Sequence, residues 1–234
     1  AQPAVQRPWQ AGRVVALARS ARSMSAPAGL VFAGLKRCGC NSHQPARLAL
    51  PASGAGPVFA AAVILPKNYQ NDQLNDSKKL TEKQRYKLRE EVERDALAWS
   101  LGIVTNEEID KINILNSSIL AMQKAVDGLK MIPGFLIIDG NRFKKHKDIP
   151  YQCIVKGDGK YLSIAAASVL AKTYRDDYMF EIGKKHPEYK WDINKGYPTK
   201  AHRDAIRKFG ETPFHRLTFR LLDNQMKLEF EENN

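Results

Sequence analysis

An α/β fold is what this sequence predicts, on two observations. Short apolar runs alternate along the chain with longer segments whose apolar residues recur every three or four positions, as strands alternating with amphipathic helices would. Two of those runs also lead into acids. Phe135–Leu136–Ile137–Ile138 runs into Asp139–Gly140–Asn141, and nineteen residues later Ile154–Val155–Lys156–Gly157 runs into Asp158. Strands that deliver carboxylates to their C-terminal tips are a common way for α/β enzymes to place a ligand site.

The elements follow in order from about Gly54. Val58–Leu65 reads as a buried strand closed by Pro66. Leu80–Ala96 reads as a charged helix, opened by a capping box of Thr81 and Gln84, and Ala98–Val104 as a short strand. Thr105 with Glu108 forms a second capping box. The helix it opens carries Ile109, Ile112, Leu115, Ile119, Met122 and Val126 on one face. Phe135–Ile138 and Gln152–Val155 are two further buried strands. Ser163 to about Lys185 is a helix whose small-residue start, Ile164–Ala165–Ala166–Ala167–Ser168, suits close packing on a sheet. Thr199–Phe209 is a shorter helix, preceded by Pro198 and stopped by Gly210. No internal repeat or coiled coil is present in the pattern.

Residues 1–53 differ. They are rich in Ala, Arg, Ser and Pro and show no sustained helical or strand period; their composition resembles a transit peptide. The expectation is a disordered basic segment over 1–53, a folded domain over 54–222 and a tail over 223–234. The formal net charge is +12, of which residues 1–58 supply +7 from seven Lys/Arg and no acid; the first acid is Asp72. The domain's own excess of +5 favours a polyanionic partner only weakly. No apolar run approaches the roughly 20 residues that a membrane span needs. Three cysteines, Cys38, Cys40 and Cys153, make no disulfide framework, and a reducing, cytoplasmic setting follows.

If their strands are sheet neighbours, Asp139 and Asp158 emerge at one edge. Clustered carboxylates holding a divalent metal suit phosphodiester hydrolysis, and Mg²⁺ needs only one or two protein carboxylates beside water and phosphate oxygens. For one Asp before Gly a plain turn is the simpler explanation. For two, followed by basic residues, the metal reading leads. Asn141–Arg142–Phe143–Lys144–Lys145–His146–Lys147 follows Asp139, and Lys156 and Lys160 flank Asp158, positions suited to phosphate contact. Ser77 and Lys78, ahead of the first helix, are further candidate phosphate ligands. Tyr197, in Asn194–Lys195–Gly196–Tyr197–Pro198–Thr199, could pack on a sugar or base beside a helix N-terminus. There is no Gly-rich nucleotide loop and no nucleophile elbow, and the spacing of His146, His186, His202 and His215 fits no metal motif.

Asn75–Leu80 (NDSKKL), Glu107–Leu115 (EEIDKINIL), Ile138–Asn141 (IDGN), Val155–Asp158 (VKGD), Ser163–Ser168 (SIAAAS) and Lys195–Thr199 (KGYPT) together resemble bacterial type 2 ribonuclease H, ribonuclease HII, from about Gly54 to about Phe219. The resemblance implies a ribonuclease H-like mixed sheet flanked by helices, with a C-terminal helical extension. It also implies nicking of the RNA strand of RNA/DNA hybrids, including single ribonucleotides in duplex DNA, with Mg²⁺ or Mn²⁺. Nucleic acid is then the partner, the membrane is not, and a monomer is expected. Of the family's four carboxylates, Asp139 and Asp158 match two. Tyr197 matches the tyrosine at the RNA–DNA junction. The other two acids belong to a first-strand Asp-Glu-Ala-Gly-Arg-Gly motif. Counted back without gaps from Gly54–Val58, the acid positions hold Arg47 and Leu48, and the Gly-Arg-Gly positions hold Leu50, Pro51 and Ala52. With no acid before Asp72, no gap restores them. The resemblance therefore implies an enzyme with half of its metal ligands, impaired in cleavage. The alternatives are a hybrid-binding pseudoenzyme and a misfolded remnant.

Overall fold

The computed structural model describes residues 14–19, 53–74 and 80–222. Its centre is a five-stranded mixed sheet built from β1 (Val14–Arg19), β2 (Val58–Ile64), β3 (Ala98–Val104), β4 (Phe135–Asp139) and β5 (Tyr151–Ile154), in the order β3-β2-β1-β4-β5. β1 runs antiparallel to β2 and parallel to β4, and β4 is parallel to β5. The helices are α1 (Glu82–Asp95), α2 (Asn106–Asp127), α3 (Leu162–Lys185), α4 (Trp191–Asn194) and α5 (Lys200–Phe209).

The middle strand comes from the segment expected to be disordered. Its sequence, VVALAR, is short but well matched to a place covered on both faces. Val15 and Leu17 point to one side and Ala16 and Ala18 to the other, and all four are fully buried. Val15 and Leu17 join Val58, Ala60, Ala62, Leu136 and Ile138 under α2. Ala16 and Ala18 join Ala61, Val63 and Ile137 under α3 and α1. The alanines leave room for the Ile164–Ala167 start of α3 to lie close to the sheet. Arg47, Leu48, Leu50, Pro51 and Ala52 lie outside the described residues, as do Ser77 and Lys78.

Both capping boxes form: Thr81 with Gln84 and Thr105 with Glu108 each satisfy the first turn reciprocally. α2 is interrupted at Asn113, whose φ of 66° and ψ of 164° leave the helical region. Its side-chain oxygen then accepts the N–H groups of Leu115 and Asn116, both at 3.1 Å, and starts the helix afresh. Gly102 on β3 faces the α2 backbone so closely that a Cβ there would overlap the Ala121 carbonyl. A third core, made by Met179 and Ile182 of α3 with Tyr189, Trp191, Ala205, Ile206 and Leu221, joins the C-terminal elements to the far half of α3.

Because Leu17 is fully buried at the centre of the sheet, Leu17→Ala is expected to cost about 2–5 kcal/mol in urea unfolding. An unchanged midpoint and slope would remove Val14–Arg19 from the core.

Candidate active site

β4 and β5 are adjacent parallel strands, so their C-terminal ends share one edge. Asp139 is the last residue of β4. Asp158 is not on the strand tip: β5 ends at Ile154, Lys156 turns the chain with a φ of 56°, and Asp158 sits in a 3-10 turn, Gly157–Gly159, that leads into α3. The turn is folded back onto β4 by two contacts. The Gly140 N–H donates to the Ile154 carbonyl at 2.9 Å, and the Gly157 N–H donates to Asp139 Oδ1 at 3.1 Å. A Cβ on Gly157 would lie 2.5 Å from Ile164 Cδ1 and 3.5 Å from Asp139 Oδ1, so glycine lets the backbone reach the carboxylate. Asp158, next in the chain, is only 6% exposed. Asp139 and Asp158 are therefore brought together, with the orientation of the first fixed by the turn that carries the second.

The edge beside Asp139 belongs to β1. The register pairs Leu17 with Ile138, so one residue further along both strands Ala18 lies beside Asp139. Leu136 and Ile138 face α2 while Ile137 faces α3, so Asp139 and Ala18 share the α3 side. The strand place next to Asp139 thus holds alanine, and β1 contains no acid. Among the described residues no group of three or more His, Cys, Asp or Glu side chains could hold a metal ion. Two carboxylates fit one Mg²⁺ or Mn²⁺ that completes its shell with water and phosphate oxygens, but not a pair of closely spaced dications.

Of the other sequence candidates, Asn141 and Lys156 are exposed on the loops leaving β4 and β5, at this same edge. Tyr197 is half-buried in the loop between α4 and α5. Gly196, with a φ of 77°, packs so tightly that a Cβ would lie 2.6 Å from Ser53 Oγ and 2.8 Å from the Ala55 carbonyl oxygen. The Gly54 N–H also donates to the Gly196 carbonyl at 2.7 Å. The tyrosine loop is therefore pinned to the start of the 53–58 segment. Thr199 caps α5 through His202 N–H at 3.2 Å, so one of the N–H groups read as a phosphate receptor already has a partner.

Spacing missed what lies beneath Tyr197. His202 and His215, thirteen residues apart, meet Nε2 to Nε2 at 3.2 Å in the buried C-terminal core. Trp191 Nε1–H donates to His202 Nε2 at 3.0 Å, and Tyr189 stacks on Trp191 with ring centroids 4.9 Å apart. Burial pushes both imidazoles down; His215, with His202 beside it, falls to about 4. Arg175, paired with Asp176 at 2.7 Å, reaches the Tyr197 hydroxyl at 3.4 Å, and Arg216 Nε donates to the Gly56 carbonyl at 2.8 Å. Burial, and then the neighbouring Arg175, lower Arg216 to about 10.

Comparison with known proteins bears on the family and the fold. The sequence profile described as Ribonuclease HII matches residues 53–222. The Ribonuclease HII of Phocaeicola vulgatus is 67% identical over 175 residues, spanning 75% of this chain and 87% of that protein. The Ribonuclease HII of Porphyromonas gingivalis is 54% identical over 186 residues, spanning 80% and 90%. Among solved structures, the ribonuclease H2 of Pyrococcus horikoshii matches with a TM-score of 0.65 at 18% identity, over 89% of this chain and 94% of that one. The RNase HII of Archaeoglobus fulgidus, solved with PCNA, matches with a TM-score of 0.59 at 19% identity, over 76% and 94%. At those identities the structures show the shared fold.

Two buried neutral histidines bind protons more readily in the unfolded chain. Their contribution to stability is complete above about pH 6.5, the ordinary histidine value, and falls as pH drops toward about 4. The melting temperature is expected to decline through that window, and His215→Gln is expected to flatten the decline. A variant that melts with the same acid slope would place the loss elsewhere.

Proposed function

The chain belongs to the ribonuclease HII family, and from that premise we propose that it recognises RNA/DNA hybrids and duplex DNA with embedded ribonucleotides, while its cleavage of the RNA strand is impaired. One observation carries the impairment: the central strand places Ala18, not a carboxylate, beside Asp139.

The surviving residues divide the work. Asp139 and Asp158 are the metal ligands, the first held by Gly157 N–H and the second in the turn before α3. A divalent ion bound there, Mg²⁺ or Mn²⁺, supplies water activation and neutralisation of phosphate charge. Lys156 and Asn141, on the loops of the same edge, and Ser77 and Lys78 ahead of α1 contact the phosphate backbone. Tyr197 offers its ring to the sugar at the RNA–DNA junction. With two carboxylates in place of four, the site keeps substrate contacts but lacks the negative charge that holds a second ion.

The family match begins at residue 53, where the composition also changes, which supports a replaced first strand. Sequencing the coding DNA across codons 30–60 tests this. An alternative frame reading Asp-Glu-Ala-Gly-Arg-Gly is the expected result, and an uninterrupted frame without one contradicts it.

With a duplex carrying one ribonucleotide and Mg²⁺ or Mn²⁺, the chain is expected to retain that duplex over all-DNA. Nicking should be about 10³-fold slower than by the Phocaeicola vulgatus relative, equivalent to about 4 kcal/mol of charge stabilisation. Nicking at the relative's rate overturns the impairment, and equal retention of both duplexes overturns the recognition. Ala18→Asp adds a carboxylate on the face Asp139 uses, and titration calorimetry should show Mn²⁺ binding about tenfold tighter. Unchanged affinity would separate Ala18 from the site.

A further inference from the structure

The hydrogen bonds around His202 assign the protonation of both buried imidazoles. The Thr212 N–H donates to His215 Nδ1 at 2.8 Å, so that nitrogen carries a lone pair and the proton of neutral His215 is on Nε2. His215 Nε2–H therefore donates to His202 Nε2, which also receives Trp191 Nε1–H at 3.0 Å. His202 Nε2 must then be the acceptor of a three-centre arrangement, and its proton is on Nδ1. That Nδ1–H points at the backbone carbonyl of Tyr197, 2.9 Å away. A protonated His202 would set its Nε2–H against two other N–H groups, so the ring has one satisfied state. The Tyr197 carbonyl also accepts the Thr199 N–H at 2.8 Å, which uses both of its lone pairs.

The far side of the tyrosine is held as well. Arg175 is buried, its guanidinium carbon lies 5.4 Å from the Tyr197 ring centroid, and its Nη1 reaches the hydroxyl at 3.4 Å. The tyrosine is thus fixed at its backbone from the histidine pair and at its ring from α3. The loop between is set by Gly196, whose φ of 77° and closeness to Ser53 leave it no slack.

We infer that His202 is a positioning residue for Tyr197: its Nδ1–H, locked in place by Trp191 and His215, sets the tyrosine ring against the ribonucleotide. The inference rests on the proposed role of Tyr197 in hybrid recognition, and the test separates the two.

Three measurements decide it. In ring-nitrogen NMR spectra of the full chain, His202 should be the Nδ1–H tautomer and His215 the Nε2–H tautomer; any other pair overturns the inference whatever the duplexes show. Binding is then measured with a duplex carrying one ribonucleotide and with the all-DNA duplex, in Mg²⁺. His202→Asn keeps a donor at the δ position and should retain the preference within about threefold, whereas His202→Gln loses that donor and should lose about tenfold, with both variants melting at similar temperatures. In a Tyr197→Ala background, His202→Gln should cost nothing further. Equal loss in the two His202 variants, or a full loss that persists without the tyrosine ring, overturns the inference. A parent chain that shows no preference defeats hybrid recognition instead, and the tautomers still judge the histidine pair.

Discussion

Everything in this domain depends on the sheet having a strand between β2 and β4. That place is buried on both faces, bounded by backbone hydrogen-bonding groups on both sides, and roofed by α2 and α3. Left empty, it would orphan two strand edges in the core, a cost no small domain could carry. VVALAR meets the physical demand: apolar side chains in alternation, two of them small enough for α3 to approach. What the place demands for folding and what it demands for chemistry are different things. Packing accepts Ala18, whereas the proposed metal site wants a carboxylate there.

The site edge follows from the same topology. Parallel β4 and β5 bring their tips together, and the turn after β5 closes back on Asp139 through Gly157. The C-terminal core carries the second half of the arrangement. Trp191, His202 and His215 hold the Tyr197 loop from below, while that loop grips the 53–55 backbone at Gly196. The edge that carries Asp139 and the loop that carries Tyr197 are thus secured by different cores, both built on α3.

Much of this was legible locally. Thr81 and Thr105 announced their helices through capping boxes, and Ala98–Val104 and Phe135–Ile138 showed as strands because β propensity and burial coincide there. That the chain reaches Asp139 and Asp158 at one sheet edge was legible from two neighbouring strand signals, since β4 and β5 are adjacent and parallel. β1 was not legible. Six residues in an Ala- and Arg-rich setting carry little local signal, and the partner Phe135–Ile138 lies more than a hundred residues away, so only the tertiary context makes VVALAR a strand. The turn at Asp158 was missed because Lys156 enters the left-handed region, which a lysine rarely signals. The spacing of His202 and His215 fits no metal motif. Their link is to each other and to a backbone carbonyl, which no spacing rule encodes.

With Asp139 and Asp158 as its two proposed ligands and Ala18 on the neighbouring strand, this sheet edge is proposed to hold one cation. The direct measurement is the number of Mn²⁺ ions held per chain, counted by electron paramagnetic resonance as Mn²⁺ is titrated into the complex with a single-ribonucleotide duplex, after subtracting the ions held by the duplex alone. One ion per chain is the predicted result, and it should be lost in Asp139→Asn. Two tightly held ions per chain would contradict it, and would mean that carboxylates other than Asp139 and Asp158 complete the site.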